Sequence, residues 1–395
     1  MKVLKHLSIF LCSSLLVASS QEYLLDTKLQ EFEYDYEKNK AQSNLLKNSW
    51  IAPIMLNYSY TRSNATSSDE SSQAASVSIT QPIFQTGGIV YGIKYAKALK
   101  EFGNYTIDLQ KTQMKKSVLE LLIKLKQIDL KLQKQELLIQ NAQLDLDAKQ
   151  SRYLNGEIDS GFLDNAIIKL NSMTLVRYDL ETAKQNLLSS LKTLSKIDYK
   201  TFPLPRLKLL TKEEFFQQNI LLKMQKAKVK SSSYQKDMIV AKYLPQVALI
   251  GSYNWSKIPA PIGGKIEQDY YNYGVSVTLP LNVNSFDDME AQRVQQFKEK
   301  LLLEDNKREL QALYERVEHN LQNLKNKEQL SLQSVAIYKK LLKDTTVLFQ
   351  SGYKTAADVL MLQNSLTTAK IDKEILELDR DIELLNLYEM VEDEI

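Results

Sequence analysis

Two long stretches of the chain contain neither proline nor glycine, and they limit its possible folds more than any other feature. They are residues 104–155 and 286–351. Apolar residues recur in both at steps of three and four, which places them on one side of a helix. The first series is Val118, Leu121, Leu122, Leu125, Ile128 and Leu132, and the second is Leu310, Leu313, Val317, Leu321 and Leu324.

These stretches predict two very long helices, from about Gly88 to Tyr153 and from about Ser285 to Gln350. Each would be roughly 100 Å long at 1.5 Å per residue. Helices of this length need partner helices to cover their apolar side. A glycine-containing turn and another helical segment, about 161–196 and 355–392, follow each of them. The sequence therefore predicts two long helical hairpins.

Four short segments alternate with a period of two, which is typical of strands. They are residues 51–62, 74–82, 246–256 and 270–281. One side of each is apolar and the other carries small polar residues. Each has about the length that crosses a bilayer when tilted, and small polar partners are expected on a water-facing barrel wall. The alternative is a pair of half-buried hairpins on a soluble domain.

The first twenty residues favour the membrane interpretation. Residues 1–20 have a basic start, an apolar run and small residues at the end, which is typical of a secretory signal peptide. Lipidation of Cys12 is not expected, because the preceding residue, Leu11, is large. No later apolar run reaches the length of a transmembrane helix. The predicted fold class is mainly α with a membrane β part.

The order of elements repeats within the chain. Pro82 and Pro280 both close a predicted strand, 280 − 82 = 198 residues apart, and Gly156 and Gly352 both lie at a predicted hairpin turn, 352 − 156 = 196 residues apart. Such offsets indicate a duplication.

This repeat divides the chain after the signal peptide into three parts. We predict a first repeat at 21–198, a linker at 199–210 and a second repeat at 211–395. Between the second strand and the first long helix, Gly87 and Gly88 are expected to form a tight transition. They do not form a phosphate loop, because the Lys-Ser/Thr pair of that motif is missing.

Composition argues against an enzyme and against nucleic acid as a partner. The chain has 51 basic and 48 acidic residues, and its charge of +3 gives no strong attraction for polyanions. It has two histidines and one cysteine, too few for the usual zinc sites or Cys–His nucleophiles. His319 has no second metal ligand nearby. We predict no catalytic, cofactor or metal site.

Strand number predicts an assembly. Four strands cannot close a membrane barrel, since bacterial barrels begin at eight. Open strand edges are not tolerated in hydrocarbon. Several chains must therefore share one barrel.

Three motifs resemble the TolC-like outer-membrane efflux protein family. The segment Gln81-Pro82-Ile83-Phe84-Gln85-Thr86-Gly87-Gly88 is similar to that family's strand-to-helix signature, and 279–283 repeats it loosely. The segment from Phe349 to Leu360 resembles the family's second hairpin tip, and Arg152 to Gly156 resembles the start of the first tip. Residues 159–164 depart from the pattern.

The resemblance implies a homotrimer with a shared twelve-stranded barrel in the outer membrane, in contact with outer-membrane lipid and extending into the periplasm. It also implies docking of a periplasmic adaptor (membrane fusion) protein at the tips around Gly156 and Gly352, and a link to an inner-membrane pump or ABC exporter. Phe349, Lys354 and Asp358 match positions at a closed tunnel entrance. Asp358 would either join a ring of three carboxylates or serve only its own helix.

Two tryptophans flank the predicted strands. Trp50 precedes the first strand and Trp255 ends the third. We expect both as girdle residues, at opposite membrane interfaces.

Three functions remain open from the sequence. The first is the exit duct of a tripartite efflux pump, and the second is the same duct in type I protein secretion. The third is a periplasmic coiled-coil scaffold or adhesin without a pore, which the alternating strands and the duplication disfavour.

Overall fold

A computed structural model describes residues 23–64, 70–260 and 264–391. The predicted signal peptide, 1–20, and Cys12 lie outside these residues. The elements in chain order are α1 (Asp26–Lys47), β1 (Met55–Ser63), β2 (Glu70–Phe84), α2 (Gly88–Leu154), α3 (Ser160–Leu194), α4 (Lys212–Gln218), α5 (Ile220–Lys242), β3 (Gln246–Pro259), β4 (Lys265–Thr278), α6 (Ser285–Gln350) and α7 (Ala356–Tyr388).

The two long helices are present and confirm the predicted mainly helical fold class. Helix α2 has 67 residues and α6 has 66, so each is about 100 Å long at 1.5 Å per residue. α3 packs back along α2, and α7 along α6. The two hairpins join where α2 packs on α7. None of the helices in the described part of the chain combines the length and the apolar character needed to cross a bilayer.

The four strands form one antiparallel sheet in the order β1-β2-β3-β4. Their bounds differ from the predicted ones. The first strand begins at Met55 rather than 51, because Trp50 and Ala52 are bound to the side chain of Gln81 instead of a strand. The second runs from Glu70 to Phe84 rather than over 74–82, so Pro82 does not close it; the strand continues past Pro82 through an irregularity in the register. The third continues beyond 256 to Pro259. The fourth runs over Lys265–Thr278, and so ends before Pro280, which has no N–H to donate to a ladder.

Strand register separates the two faces of the sheet. Residues paired directly across a ladder point to the same face. One row of paired residues crosses all four strands and consists of Leu56, Val77, Tyr253 and Tyr271. The neighbouring row on the same face contains Ile79, Gly251 and Tyr273. Rows of the opposite face read Asn57, Ser76, Asn254 and Tyr270, and Met55, Ser78, Ser252 and Asn272. The sheet thus has one apolar face and one mainly hydroxyl- and amide-bearing face.

The apolar core lies near the middle of the long helices. There α2, α6 and α7 contribute buried Leu122, Val317 and Leu385 to one cluster. Phe32 of α1 and Phe215 of α4 belong to the same cluster. Burial at this level holds the two hairpins together.

The predicted linker, 199–210, forms part of this core. Tyr199, Phe202, Leu207 and Leu210 are buried in the core cluster. The segment has neither helix nor strand, so its backbone finds partners on side chains: Lys126 donates to the carbonyl of Phe202 at 2.8 Å. We call residues 199–210 the clamp segment, because they pack into the core that joins the two halves of the chain.

Candidate functional site

The strand-to-helix junction between β2 and α2 has the tight geometry expected for its glycines. Gly87 has φ = 86°, in the left-handed region, and the preceding Thr86 has φ = 47°. A Cβ on Gly88 would lie 3.3 Å from the Cβ of Ala241, closer than most Cβ contacts, so the glycine permits α2 to approach α5. The junction thus turns the chain sharply and packs it closely.

Gln81 organises this junction, a role that its sequence position alone does not predict. Its side-chain oxygen accepts from the Ala52 N–H at 2.9 Å, and its side-chain nitrogen donates to the Trp50 carbonyl at 3.1 Å. Thr86 adds a hydrogen bond to the Pro245 carbonyl at 2.6 Å, next to the start of β3. Only its place beside Pro82 in the Gln-Pro signature singles Gln81 out in the sequence. The structure shows that the signature joins neighbouring segments.

The junction after β4 is built differently. Pro280 follows the strand, and the Asn282 side chain accepts from the Asn284 N–H at 2.9 Å. Leu281 and Val283 are 90% and 93% exposed in the single chain. The second repeat therefore lacks the glycine turn of the first and leaves apolar residues uncovered.

The two hairpin tips end their long helices with the same turn. At the first tip Gly156 has φ = 73°, its N–H donates to the Tyr153 carbonyl at 2.9 Å, and the Glu157 N–H donates to the Arg152 carbonyl at 2.9 Å. This pair of bonds defines a Schellman turn, which requires a left-handed residue.

At the second tip Gly352 takes the same place. It has φ = 79°, its N–H donates to the Phe349 carbonyl at 3.0 Å, and the Tyr353 N–H donates to the Leu348 carbonyl at 2.9 Å. A Cβ on either glycine would meet nothing within 4 Å, so the backbone alone selects glycine at both tips.

Asp358 closes a capping box at the start of α7. Thr355 Oγ1 accepts from the Asp358 N–H at 3.2 Å, and Asp358 Oδ2 accepts from the Thr355 N–H at 2.9 Å. Hydrogen bonds from the Thr355 backbone, then from its side chain, hold the pKa of the Asp358 carboxyl below its ordinary value. Lys354 Nζ lies 4.0 Å from Asp358 Oδ1 and adds a weaker attraction. In the single chain Asp358 therefore has a local role.

The other residues assigned to the entrance lie close by. Phe349 is in the last turn of α6 and is 43% exposed, and Tyr353 beyond the turn is also exposed. The turn thus brings Phe349, Lys354 and Asp358 to one end of the molecule.

The first tip carries an ion pair of its own. Arg152 Nε lies 3.3 Å from Glu157 Oε2, across the turn at Gly156. Asp159 caps α3 by accepting from the Gly161 N–H at 3.3 Å, which accounts for the different sequence at 159–164. Within the described ranges no cluster of three histidine, cysteine or acidic residues is placed to hold a metal ion.

The two predicted girdle tryptophans lie at different levels of the sheet. Trp255 is paired with Ala75 and, through it, lies level with Tyr58 of β1. Its indole N–H donates to Glu267 at 2.8 Å. The carbonyl of Trp50 accepts from Gln81, which lies 81 − 75 = 6 residues along β2 from the level of Trp255, or about 20 Å at the strand rise.

Both flanks of the molecule are uncovered along its whole length. Near the sheet the helices pack in the order α1, α2, α5, α6, and near the tips in the order α3, α2, α7, α6. Strands β1 and β4 are the outer strands on the matching sides. Within the described residues no element packs closely against the outer sides of α3, α6, β1 or β4. Exposed apolar residues follow α3 and α6, including Ile168, Leu175, Phe297, Leu301 and Ile337.

Solved structures of outer-membrane channels share this fold. The Campylobacter jejuni CmeC outer membrane channel matches with a TM-score of 0.73 at 14% identity, over 94% of this chain and 85% of that one. The Vibrio cholerae outer membrane protein VceC matches with a TM-score of 0.73 at 13% identity, over 92% of this chain and 93% of that one. The open state of the Neisseria gonorrhoeae MtrE outer membrane channel matches with a TM-score of 0.69 at 14% identity, over 92% of this chain and 85% of that one. No match is found among curated protein sequences.

A two-faced sheet continued by two long helical hairpins defines the class of TolC-like outer-membrane channels. The model of the family described as "Outer membrane efflux protein" matches residues 213–391. The second half of the chain thus matches the outer membrane efflux protein family by sequence, and nearly all of its described length has the fold of outer-membrane channels.

Proposed function

We propose that three copies of this chain form one channel-tunnel, the exit duct of a tripartite efflux system. The observation that carries the proposal is the incompleteness of the single chain: its four-stranded sheet has two open edges, and its helices have two uncovered flanks.

The open edges require neighbours. Each unpaired backbone group in hydrocarbon costs about several kcal/mol, which is the penalty for burying an amide without a hydrogen bond. Because β1 and β4 lie on opposite flanks, β4 of one chain can pair with β1 of the next. The same step brings α6 of one chain against α1 and α3 of the next, which covers the exposed apolar residues. A contact between two different flanks is heterologous, and it forms a ring when the rotation from one chain to the next closes, as a membrane barrel without open edges requires.

Three chains are the smallest number that leaves an open lumen. Two chains would give eight strands, and side chains just fill an eight-stranded barrel. Three give twelve strands and a wider interior. The hydroxyl- and amide-bearing face of the sheet would line that lumen, and the face with Leu56, Val77 and Tyr253 would meet lipid.

The hairpin tips supply the periplasmic end of the duct. Gly156 and Gly352 follow helices of 67 and 66 residues, so both tips reach about the same depth. The exposed residues beside them, such as Tyr153, Leu154 and Tyr353, form a surface for a periplasmic adaptor protein. The adaptor would in turn connect the duct to an inner-membrane pump.

Single-channel recording tests this proposal. Purified protein in planar bilayers should give discrete conductance steps of one size, since every channel contains the same number of chains. Gly156→Val and Gly352→Val should insert with the same conductance but should fail to restore efflux in cells that lack the native protein. Folded, inserted protein that never conducts would contradict the duct.

A further inference from the structure

A groove in the middle of the molecule, away from both flanks, has the size and the lining of a binding site. It has a volume of about 810 Å³ and lies between α2 and α7, beneath the clamp segment 199–210. Leu130 and Leu378 form its apolar part, and acidic and basic side chains surround them. Since the groove is not on a flank, the trimer proposed above leaves it uncovered.

Most of the charged groups in the groove are already engaged. Lys184 Nζ lies 2.6 Å from Asp129 Oδ1, and Lys373 Nζ lies 2.7 Å from Glu377 Oε1. Lys126 donates to the Phe202 carbonyl. In each of the two ion pairs, the basic and the acidic side chain neutralise one another.

Asp381 and Glu374 remain without a cationic partner within hydrogen-bonding distance in the described part of the chain. They lie two turns apart on one side of α7 and both line the groove. Asp381 is partly buried, and burial raises the pKa of its carboxyl, with only a smaller opposing effect from Arg380. A carboxylate in this position gains from any cation that enters the groove.

A buried phenol supplies the second and independent observation. Tyr199 lines the groove and is only 5% exposed, yet its hydroxyl forms no hydrogen bond of normal geometry with the described residues; the ion-paired Lys184 and Asp129 are its polar neighbours. Burial raises the pKa of this hydroxyl, so it stays a neutral donor. An unpaired buried donor costs about 1–3 kcal/mol, and such groups normally have a partner.

The chemistry of the groove defines what fits it. The occupant must offer an acceptor to Tyr199, a cation to Asp381 and Glu374, and an apolar stem to Leu130 and Leu378. A lysine or arginine within a peptide segment offers all three, because its backbone carbonyl accepts, its head is cationic and its methylene stem is apolar.

We propose that this groove binds a basic side chain, with its adjoining peptide carbonyl, from a periplasmic partner protein. The site lies 154 − 129 = 25 residues above the first tip on α2 and 381 − 356 = 25 residues above the second on α7. That is about 37 Å from the tips at 1.5 Å per residue. It is therefore a contact separate from tip docking, and it rests on the proposed function only for its periplasmic location.

Saturation-transfer NMR on the purified oligomer tests the proposal with the peptide acetyl-Ala-Arg-Ala-amide. We expect it to bind roughly tenfold more tightly than the glutamine analogue, the effect of one charge-assisted hydrogen bond. Asp381→Asn should remove that preference. The control Asp305→Asn alters an exposed aspartate of α6 that lies 3.5 Å from Arg308, and it should leave the preference intact.

Tyr199→Phe provides a second variant. It should weaken binding of both peptides by a similar factor and leave the melting temperature at or above the wild-type value, because the hydroxyl makes no hydrogen bond of normal geometry in the free protein. A clear loss of stability would show that Tyr199 is bonded internally and would contradict the site.

Equal binding of the arginine and glutamine peptides, or an unchanged preference in Asp381→Asn, would overturn the proposal. Tighter binding of acetyl-Ala-Glu-Ala-amide would overturn it too, since Lys200, which also lines the groove, would then be the recognising group. Conductance of the same preparations in planar bilayers reports separately on the duct, so failure of the groove and failure of the channel are distinguishable.

Discussion

At the scale of single residues, Asp358 has a local bond and a proposed assembly role that two substitutions separate. Thr355→Ala removes the cap but keeps the carboxylate, and it should cost about 1 kcal/mol of stability, as for other N-caps. Asp358→Asn keeps an acceptor for the Thr355 N–H but removes the charge. If three carboxylates meet at the entrance, only Asp358→Asn should weaken cation selectivity and block by divalent cations in planar bilayers. Identical block in Asp358→Asn and wild type would leave Asp358 as a capping residue alone.

The lowered pKa of Asp358 predicts a pH dependence at the same tip. A carboxyl whose pKa is lowered on folding stabilises the folded state above its unfolded pKa, about 3.9, and loses that contribution as the pH falls through the folded value. The first turn of α7 should therefore lose amide-exchange protection as the pH drops below about 4. In Asp358→Asn this loss should be absent. Protection that is equally pH-dependent in both proteins would assign the effect to another group.

The tip glycines are set by backbone conformation alone. Gly352→Val should strain the turn by about 1–2 kcal/mol, because the left-handed region is costly for a branched residue, whereas Gly352→Asn should cost less. Gly161→Ala is the matched control, since its Cβ would also meet nothing within 4 Å but its φ is not positive. Efflux in cells should fall in the order wild type, Asn, Val, and remain normal in Gly161→Ala. Normal efflux in Gly352→Val would argue against tip docking.

At the scale of elements, the packing of α2 on α5 depends on Gly88. Its Cβ would lie 3.3 Å from the Cβ of Ala241, while a Cβ on Gly92, one turn later, would lie 3.7 Å from Met238 Sδ. Gly88→Leu should therefore destabilise the protein by about 1–3 kcal/mol through overpacking. Gly92→Ala should stabilise it by up to about 1 kcal/mol, the usual helix preference for alanine. Thermal unfolding of both variants measures the contrast, and equal effects would contradict the close approach at Gly88.

The sheet predicts where its two tryptophans lie in the bilayer. The separation of about 20 Å between the levels of Trp50 and Trp255 approaches the roughly 25 Å height of an apolar barrel band. Lipid-bound quenchers at graded depth should therefore quench each tryptophan from a different leaflet. Single-tryptophan proteins, made by Trp50→Phe and Trp255→Phe, resolve the two signals. Quenching of both from one leaflet would contradict this orientation.

At the scale of the whole molecule, the regular elements were predictable because each follows one local period. The apolar steps of three and four in 118–132 and 310–324 indicate that α2 and α6 are helices, and the glycines and prolines around the two long stretches give their ends almost to the residue. The role of Gln81 was not predictable, because it depends on Trp50 and Ala52 some thirty residues away. The groove at Tyr199 and Asp381 likewise joins parts of the chain that have no common sequence pattern.

The segment 199–210 shows the same limit. Its prolines and its broken helical pattern predict a linker, and it has no regular element. Its burial depends on contacts between its aromatic and leucine side chains and helices that are distant in the sequence. No local periodicity of the segment predicts such contacts. The division of the chain into repeats at 21–198 and 211–395 remains a prediction.

The central claim is that three chains share one barrel and one tunnel. Native mass spectrometry of the protein, extracted in mild detergent and released from the micelle, tests it directly. We predict one dominant species at three times the mass of the mature chain, because twelve strands are the smallest set of four-stranded sheets that encloses an open lumen. A folded monomer that conducts in planar bilayers, or a dominant dimer, would contradict the account.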